Sequence, residues 1–393
     1  MIRWLVGIIG LGVVAGHALA ADPLDIRVGY LGQAGIPSKL SLVEQPSENN
    51  GIAGARLAIE DNNTTGKFLN QRFFLEEVRL KDGEDAAKAA TALADRNGFI
   101  IADLPADALL KAADALRDRK TVLLNSGAVD DRLREQDCRA NVIHVAPTRS
   151  MLADALAQYL VWKQWKRRLL VAGSHEADKL YADALRRAAA RFGAKIVQER
   201  VFEDTGGARR TDSGVTLVQR QMPVFTQGAP AYDVLVAADE SEVFAAYLPY
   251  RTWDPRPIAG SAGLVPTGWT AAHDQWGAIQ LQNRFRKLNS RAMTARDMQA
   301  WTAVRMIGEA ATRVKSGDAK AVTTFLKSPD FSIAAFKGQR LTLRDWNGQL
   351  RQPILLADGR MVVSVSPQEG FLHQVSELDT LGVDRPETKC KMD

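Results

Sequence analysis

The stretch FIIADLPADALLKAADALRDRKTVLLN, Phe99 to Asn125, decides how this chain is read. Phe99 to Ala102 is a short apolar run of strand length, Ala106 to about Arg119 repeats apolar residues at helical spacing, and Thr121 to Asn125 is apolar again. The same alternation extends outward. Towards the N-terminus lie a strand at Asp25 to Leu31, a helix from Ile52 to Asp61 ended by Asn62, Asn63 and Gly66, a strand at Phe73 to Leu80 and a helix at about Asp85 to Asn97. After Pro147 the pattern restarts with a helix Met151 to Trp162, a strand Arg168 to Gly173, a helix at about Asp178 to Phe192, and strands Lys195 to Phe202 and Tyr232 to Ala237. Strand and helix in alternation mean an α/β architecture, parallel sheets with helices on both faces. Thr205 to Ser213 and Pro249 to Gly268 read as loops at the edge of a cleft, and Ala295 to Val314 as a long helix that buries Trp301. Leu341 to Arg344, Gln352 to Leu356 and Met361 to Ser366 read as closing strands around turns.

The chain has 393 residues, 46% hydrophobic and 25% charged, with 30 Gly, 15 Pro and two Cys. That profile excludes disorder, collagen-like repeats and a disulfide-dense scaffold. The length favours two domains with a cleft between them. The net charge of +5 is mild and forms no long block, which argues against a nucleic-acid partner. Arg3, an apolar run from Trp4 to Val14 and the small residues of Ala18-Leu19-Ala20 form an export signal, with cleavage predicted before Ala21. The run is shorter than the roughly 20 residues of a spanning helix, and no later segment is long and apolar enough to span. An exported chain with an even cysteine count is expected to join Cys138 to Cys390; two free buried thiols are the alternative.

Enzyme signatures are scarce. There is no G-x-S-x-G, S-x-x-K, Walker loop or C-x-x-C, and His175-Glu176 lacks the second histidine of a zinc helix. Gly10 to Ala15 resembles a dinucleotide fingerprint but falls inside the export signal. Asp61 to Gly66 has the oxygen spacing of a calcium loop, yet Arg72 stands where the bidentate glutamate belongs. The expectation is a protein without catalytic residues or a cofactor.

Gly51-Ile52-Ala53-Gly54-Ala55-Arg56-Leu57-Ala58-Ile59-Glu60-Asp61-Asn62-Asn63 resembles the first-helix pattern of the branched-chain amino acid type of periplasmic binding protein. Leu124 to Val129 and Leu343 to Gln352, with Trp346-Asn347-Gly348, resemble later segments of that family in order and spacing. The resemblance implies a type I periplasmic binding protein: two Rossmann-like lobes with parallel sheets, a three-crossover hinge, and a ligand between the lobes, in agreement with the switch-point rule. It places the signal at 1–20, lobe I at 21–146 and 283–350, and lobe II at 147–282 and 351–393. The implied partner is an ABC permease of the inner membrane, served by a monomeric receptor. Gly29-Tyr30-Leu31-Gly32, Gln45 to Asn50 and Asp137 to Asn141 resemble, more narrowly, binding proteins found with PQQ-dependent alcohol oxidation and linked to lanthanide uptake.

In amino acid receptors of this class, hydroxyls and backbone amides of the first lobe hold the ligand carboxylate. Here the corresponding loop is Asp103-Leu104-Pro105-Ala106-Asp107, so an α-carboxylate is expected to be repelled. Loops at strand ends place Gln33, Glu48, Asp103, Asp107, Ala128, Asp178, Asp239 and Glu240 as the candidate ligand-binding set. Their carboxylates could supply the six or more oxygens that Ca²⁺ or a lanthanide wants, or face a cationic or polyhydroxylated organic solute. The competing role for each is a helix cap, as for Asp103 before the helix at Ala106. A sensor subunit of the same fold, and a receptor for an amino acid-like or other organic solute, are the alternative functions.

Overall fold

The computed structural model describes residues 22–33, 46–204 and 214–392; the export signal and the 205–213 loop read from the sequence lie outside the described residues. In chain order the elements are β1 (Leu24–Gln33), α1 (Ile52–Leu69), β2 (Gln71–Leu80), α2 (Ala86–Ala94), β3 (Phe99–Asp103), α3 (Ala106–Ala115), β4 (Val122–Asn125) and β5 (Val142–His144). There follow α4 (Arg149–Trp162), β6 (Arg167–Gly173), α5 (Glu176–Arg191), β7 (Lys195–Phe202), α6 (Gly214–Thr226), β8 (Val234–Ala238), α7 (Leu248–Arg251), β9 (Ile258–Gly260) and β10 (Val265–Thr267). The chain closes with α8 (Ala278–Asn289), α9 (Ala295–Val314), α10 (Ala319–Leu326), β11 (Ile333–Ala334), β12 (Arg340–Leu343), β13 (Leu350–Arg351), β14 (Ile354–Ala357) and β15 (Val362–Ser366).

Two parallel sheets organise these elements into two lobes. Lobe I has the order β2-β1-β3-β4-β5 and lobe II the order β7-β6-β8-β9. Each sheet is covered on both faces, which is why β8 is apolar and buried at every position and β3 is buried throughout and apolar as far as Ala102. One face of the lobe I sheet packs on α1, α8, α9 and α10 through Ile52, Phe285, Val304 and Val322, and the other on α2 and α3 through Leu93 and Leu109. In lobe II, α4 and α5 cover one face through Leu156 and Leu185, and Met222, Phe244 and Leu248 cover the other. The strand order reverses beside the first strand of each sheet, which by the switch-point rule makes the strand C-terminal ends the candidate site.

Three differences from the sequence reading have physical causes. The first helix does not stop at Asn62 but runs on to Leu69. Asn62 is buried and donates to the Val304 carbonyl at 3.1 Å, while Asn63 both donates to and accepts from the backbone of Phe73. Side chains that would otherwise compete with the helical backbone are thus engaged by tertiary partners. Second, lobe I resumes earlier than 283: Trp269, Ala278, Leu281 and Phe285 already belong to its core, because α8 turns a helical stripe towards that lobe. Third, the C-terminal segment is shared between the lobes. Leu381 is fully buried in the lobe II core, whereas Cys390 is joined by a disulfide to Cys138, with a Cα–Cα distance of 5.6 Å.

The close approach of α1 to α9 depends on Gly54. A Cβ placed there would lie 1.8 Å from the Asp297 carbonyl oxygen. Backbone cannot swing aside as a side chain does, so Gly54→Ala is expected to cost about 3 kcal/mol or more, at the upper end of overpacking. Urea denaturation of the two proteins measures this; a loss under about 1 kcal/mol would mean that the helices separate easily.

Candidate functional site

The lobe I wall is built at the ends of β1, β3 and β4. Gly32 stands opposite Asp103 in the sheet register, and the Tyr30 hydroxyl donates to Asp103 Oδ2 at 2.7 Å. Arg296, the second residue of α9, donates from Nε and Nη2 to Asp103 Oδ1 at 3.0 and 2.6 Å. Asp103 is buried, whereas the Arg296 side chain is 34% exposed and forms the open edge of the pair. Burial first, and then the Asp103 charge, push the Tyr30 hydroxyl above its usual range, so it stays a donor. Backbone closes the carboxylate in: a Cβ on Gly51 or on Gly127 would lie 2.4 or 2.6 Å from its oxygens.

The turn after β4 is held from within. Asn125 Oδ1 accepts from the amides of Gly127 and Ala128 at 3.2 and 2.9 Å, and its Nδ2 donates to the Ala128 carbonyl. Behind it Arg134, 2% exposed, donates to the carbonyls of Ala128, Asp130 and Ala146 and to Gln349 Oε1. Burial lowers the Arg134 guanidinium to about 9, and burial together with that charge keeps His144 well below its ordinary value.

The two lobes meet at Arg149, the first residue of α4. Its guanidinium donates to both Glu240 oxygens at 2.7 to 3.0 Å and lies 3.3 Å from Asp130 Oδ2. Asp130 follows β4 of lobe I and Glu240 follows β8 of lobe II, so this one cation joins the strand-end loops of both sheets. Burial raises the Glu240 carboxyl against the opposing pull of Arg149, and Tyr181 of α5 lies buried in the same field.

Each candidate read from the sequence can now be placed. Ala128 is buried in the β4 turn, and Glu240 is paired with Arg149. Asp239 is buried and accepts from the amides of Val243, Phe244 and Ala245 at 2.6 to 2.7 Å. Asp178 is buried, forms the capping box of α5 with His175, and accepts from the Ser241 amide at 2.9 Å. Asp107 is exposed and paired with Arg132. Glu48 is exposed, and Gln33 is half-buried at the end of β1. The structure thus brings Asp178, Asp239 and Glu240 into one neighbourhood in lobe II, while Asp103 belongs to a separate pair in lobe I.

Two expectations change. Asp103 does not cap α3, whose N-cap is Pro105 with no side-chain bond. Nor does its charge stand unopposed against an incoming carboxylate, because Arg296 neutralises it. The carboxylate oxygens of Asp103, Asp178, Asp239 and Glu240 are engaged by arginines, a tyrosine hydroxyl or backbone amides. Among the described residues no group of three or more His, Cys, Asp or Glu comes together to hold a metal ion. Sequence reasoning missed Tyr30, Arg149, Tyr181 and Arg296. Their only local signal was position: Arg149 opens a helix after Thr148, and Tyr30 sits three residues before the end of β1.

This arrangement is the fold of the type I periplasmic binding proteins. A sequence profile of the family described as "Periplasmic binding protein" matches residues 33–213. A periplasmic binding protein from Burkholderia mallei is 15% identical, with 95% of this chain and 100% of that one aligned at a TM-score of 0.67. A branched-chain amino acid ABC transporter ligand-binding protein from Burkholderia xenovorans is 18% identical, over 86% of this chain and 95% of that one, at 0.68. A solute-binding protein of an ABC transporter from R. palustris, solved with benzoate, is 12% identical over 93% of this chain and 99% of that one, at 0.63. No curated protein matches the sequence significantly. Among the described residues no helix is long and apolar enough to cross a membrane.

Proposed function

We propose that this protein is the periplasmic solute-binding component of an ABC importer, exported with removal of residues 1–20, and monomeric. It closes its two lobes on a small organic solute and hands that solute to an inner-membrane permease, without catalysis. The observation that carries this reading is the meeting of the β4 and β8 loops at Arg149, which couples the two strand-end walls through one ion-paired cluster. A ligand that touches both walls stabilises the closed state by its differential affinity for it. The charge pattern supports a neutral, zwitterionic or carboxylate-bearing solute over a bare hard cation, because the wall carboxylates already have donors. Benzoate in the R. palustris neighbour is a solute of this size class. A link to PQQ-dependent alcohol catabolism rests on the three sequence stretches given above, and the calcium or lanthanide reading rests on that resemblance together with the carboxylates at the strand-end loops.

Calorimetry of the metal-stripped mature protein against amino acids, aromatic and alcohol-derived acids, PQQ, Ca²⁺ and La³⁺ tests the proposal. Saturable one-to-one binding of an organic solute, with the solute recovered unchanged, is the expected result. Binding of La³⁺ or Ca²⁺ that is lost in Asp103→Asn/Asp239→Asn would replace the organic-solute reading with the ion reading, and conversion of the solute would make the protein an enzyme.

A further inference from the structure

The fold passes between its lobes three times, after β5, after β10 and after β13. This chain adds a fourth connection. Residues 378–382 are seated where lobe II meets the third crossover: Leu381 lies in the lobe II core, Gln158 donates to the Thr380 hydroxyl at 2.9 Å, and Arg344, which follows β12, donates to the Leu378 and Leu381 carbonyls at 3.0 and 2.6 Å. The Gly382 amide donates to Asp154 Oδ2 at 2.8 Å, and its carbonyl accepts from Arg187 and Arg191. Arg385 pairs with Asp345, beyond β12, at 3.0 Å, while Glu387 still faces lobe II, 3.5 Å from Arg187. The very next residues belong to lobe I. The Thr388 hydroxyl and the Lys389 amide donate to Glu135 at 3.2 and 2.7 Å, and Cys390 is bonded to Cys138. The Cys138 loop is itself fixed to lobe I, where Arg139 pairs with Asp114 of α3 at 2.7 Å and Asn141 donates to the Ala113 carbonyl.

We propose that residues 378–392 are a strap that bounds the opening of the cleft, with a covalent end on lobe I and a buried, hydrogen-bonded end on lobe II. The inference concerns the motion of the site and rests on the solute-receptor reading only for its purpose. Its physical basis is the shortness of the run between the two seats, in which Glu387 and Thr388 are adjacent in sequence yet held by different lobes. Parting the lobes there first breaks the exposed Glu387–Arg187 pair and then draws on the segment between Gly382 and Cys390. Eight residues reach at most about 26–29 Å when fully extended, at roughly 3.3–3.6 Å each. Beyond that the buried end must leave the lobe II core or the disulfide must break. The other crossovers permit hinge motion without such a limit, since hinges absorb it in a few backbone angles.

Small-angle scattering of the solute-free protein tests the strap, comparing the oxidised chain, the same folded protein after treatment with a phosphine reductant, and Cys138→Ser/Cys390→Ser. Reduction of the already folded protein keeps the comparison available if the double variant does not fold. The expected result is a rise of about 5% in the radius of gyration, from roughly 21 Å for a compact chain of this length, when the disulfide is opened. Superimposable profiles for the oxidised and opened forms would overturn the proposal. A chain that binds no solute would overturn the receptor reading and leave this comparison standing; unchanged scattering in a chain that does bind would overturn the strap alone.

Discussion

Asp379→Ala is expected to destabilise the protein by about 3–5 kcal/mol, the range for breaking a buried ion pair by removing one partner. Asp379 is fully buried and accepts from Arg344 Nε at 2.9 Å and from Arg351 Nε at 2.8 and 3.0 Å. The two arginine side chains are 2% and 10% exposed, so alanine would strand two cations that water does not reach. Burial already lowers the Arg344 guanidinium against the opposing effect of Asp379, and removing the carboxylate removes the only acid that hydrogen-bonds it among the described residues. Remaining partners soften the loss without replacing the charge. Arg344 keeps the carbonyls of Leu378 and Leu381, and both guanidiniums lie over the Trp346 ring at 5.3 and 5.2 Å. Asp379→Asn, which preserves shape and part of the hydrogen bonding, should fall between wild type and alanine. Urea titration gives the three stabilities. An alanine variant within about 1 kcal/mol of wild type would mean that the arginines reach solvent or other acceptors once the carboxylate is gone.

The contrast between what was readable and what was not follows from the range of the forces involved. β3 was legible to within a residue, and the sequence reading of α9 coincides with its bounds, because burial on both faces of a sheet or along a helix stripe writes an apolar pattern into neighbouring residues. Asp178 was read as a ligand carboxylate with a helix cap as the competing role, and it caps α5 through the His175 amide three residues away. Asp103 was found as a carboxylate at a strand end, but its meaning was not. Its cation comes from Arg296, 193 residues on, and a pairing at that distance leaves no periodicity. Asp239 looked like a metal oxygen and instead anchors the turn that follows it, a choice settled by the conformation of residues 243–245. The extension of α1 through Asn62 depended on α9, which supplies the Val304 carbonyl. Residue type at a strand end therefore marks a polar position reliably, while the partner that decides between ligand, latch and cap has to be seen.

The stability of the protein should climb as pH rises from about 7 towards 10.5, and Lys337→Met should abolish that limb. Lys337 is 4% exposed, and its Nζ donates to Gln352 Oε1 at 2.5 Å; Gln352 in turn donates to the Val145 carbonyl at 2.7 Å. This chain of bonds ties the third crossover, beside Gln352, to the first, at Val145. Burial pushes the ammonium down from an ordinary value of 10.5 to about 7, with no carboxylate among the described residues to hold the charge. The nearby His273 is likewise lowered by burial, against the pull of the Phe336 carbonyl, and the Lys337 charge adds to its lowering. Between the two Lys337 values the unfolded chain binds a proton that the folded chain has given up, so unfolding becomes less favourable with each rise in pH. The contribution is fully present above about 10.5 and is lost as pH falls through about 7, on the order of 4 kcal/mol over the whole window. Denaturant titrations of wild type and Lys337→Met between pH 6 and pH 10 isolate it, since every other group titrates in both proteins. The two stability curves are expected to diverge on the acid side, with methionine the more stable, and to approach each other as Lys337 loses its charge. Parallel curves would mean that water enters the hinge and keeps the ammonium charged; converging ones would make Lys337 a neutral amine at the joint on which the lobes turn.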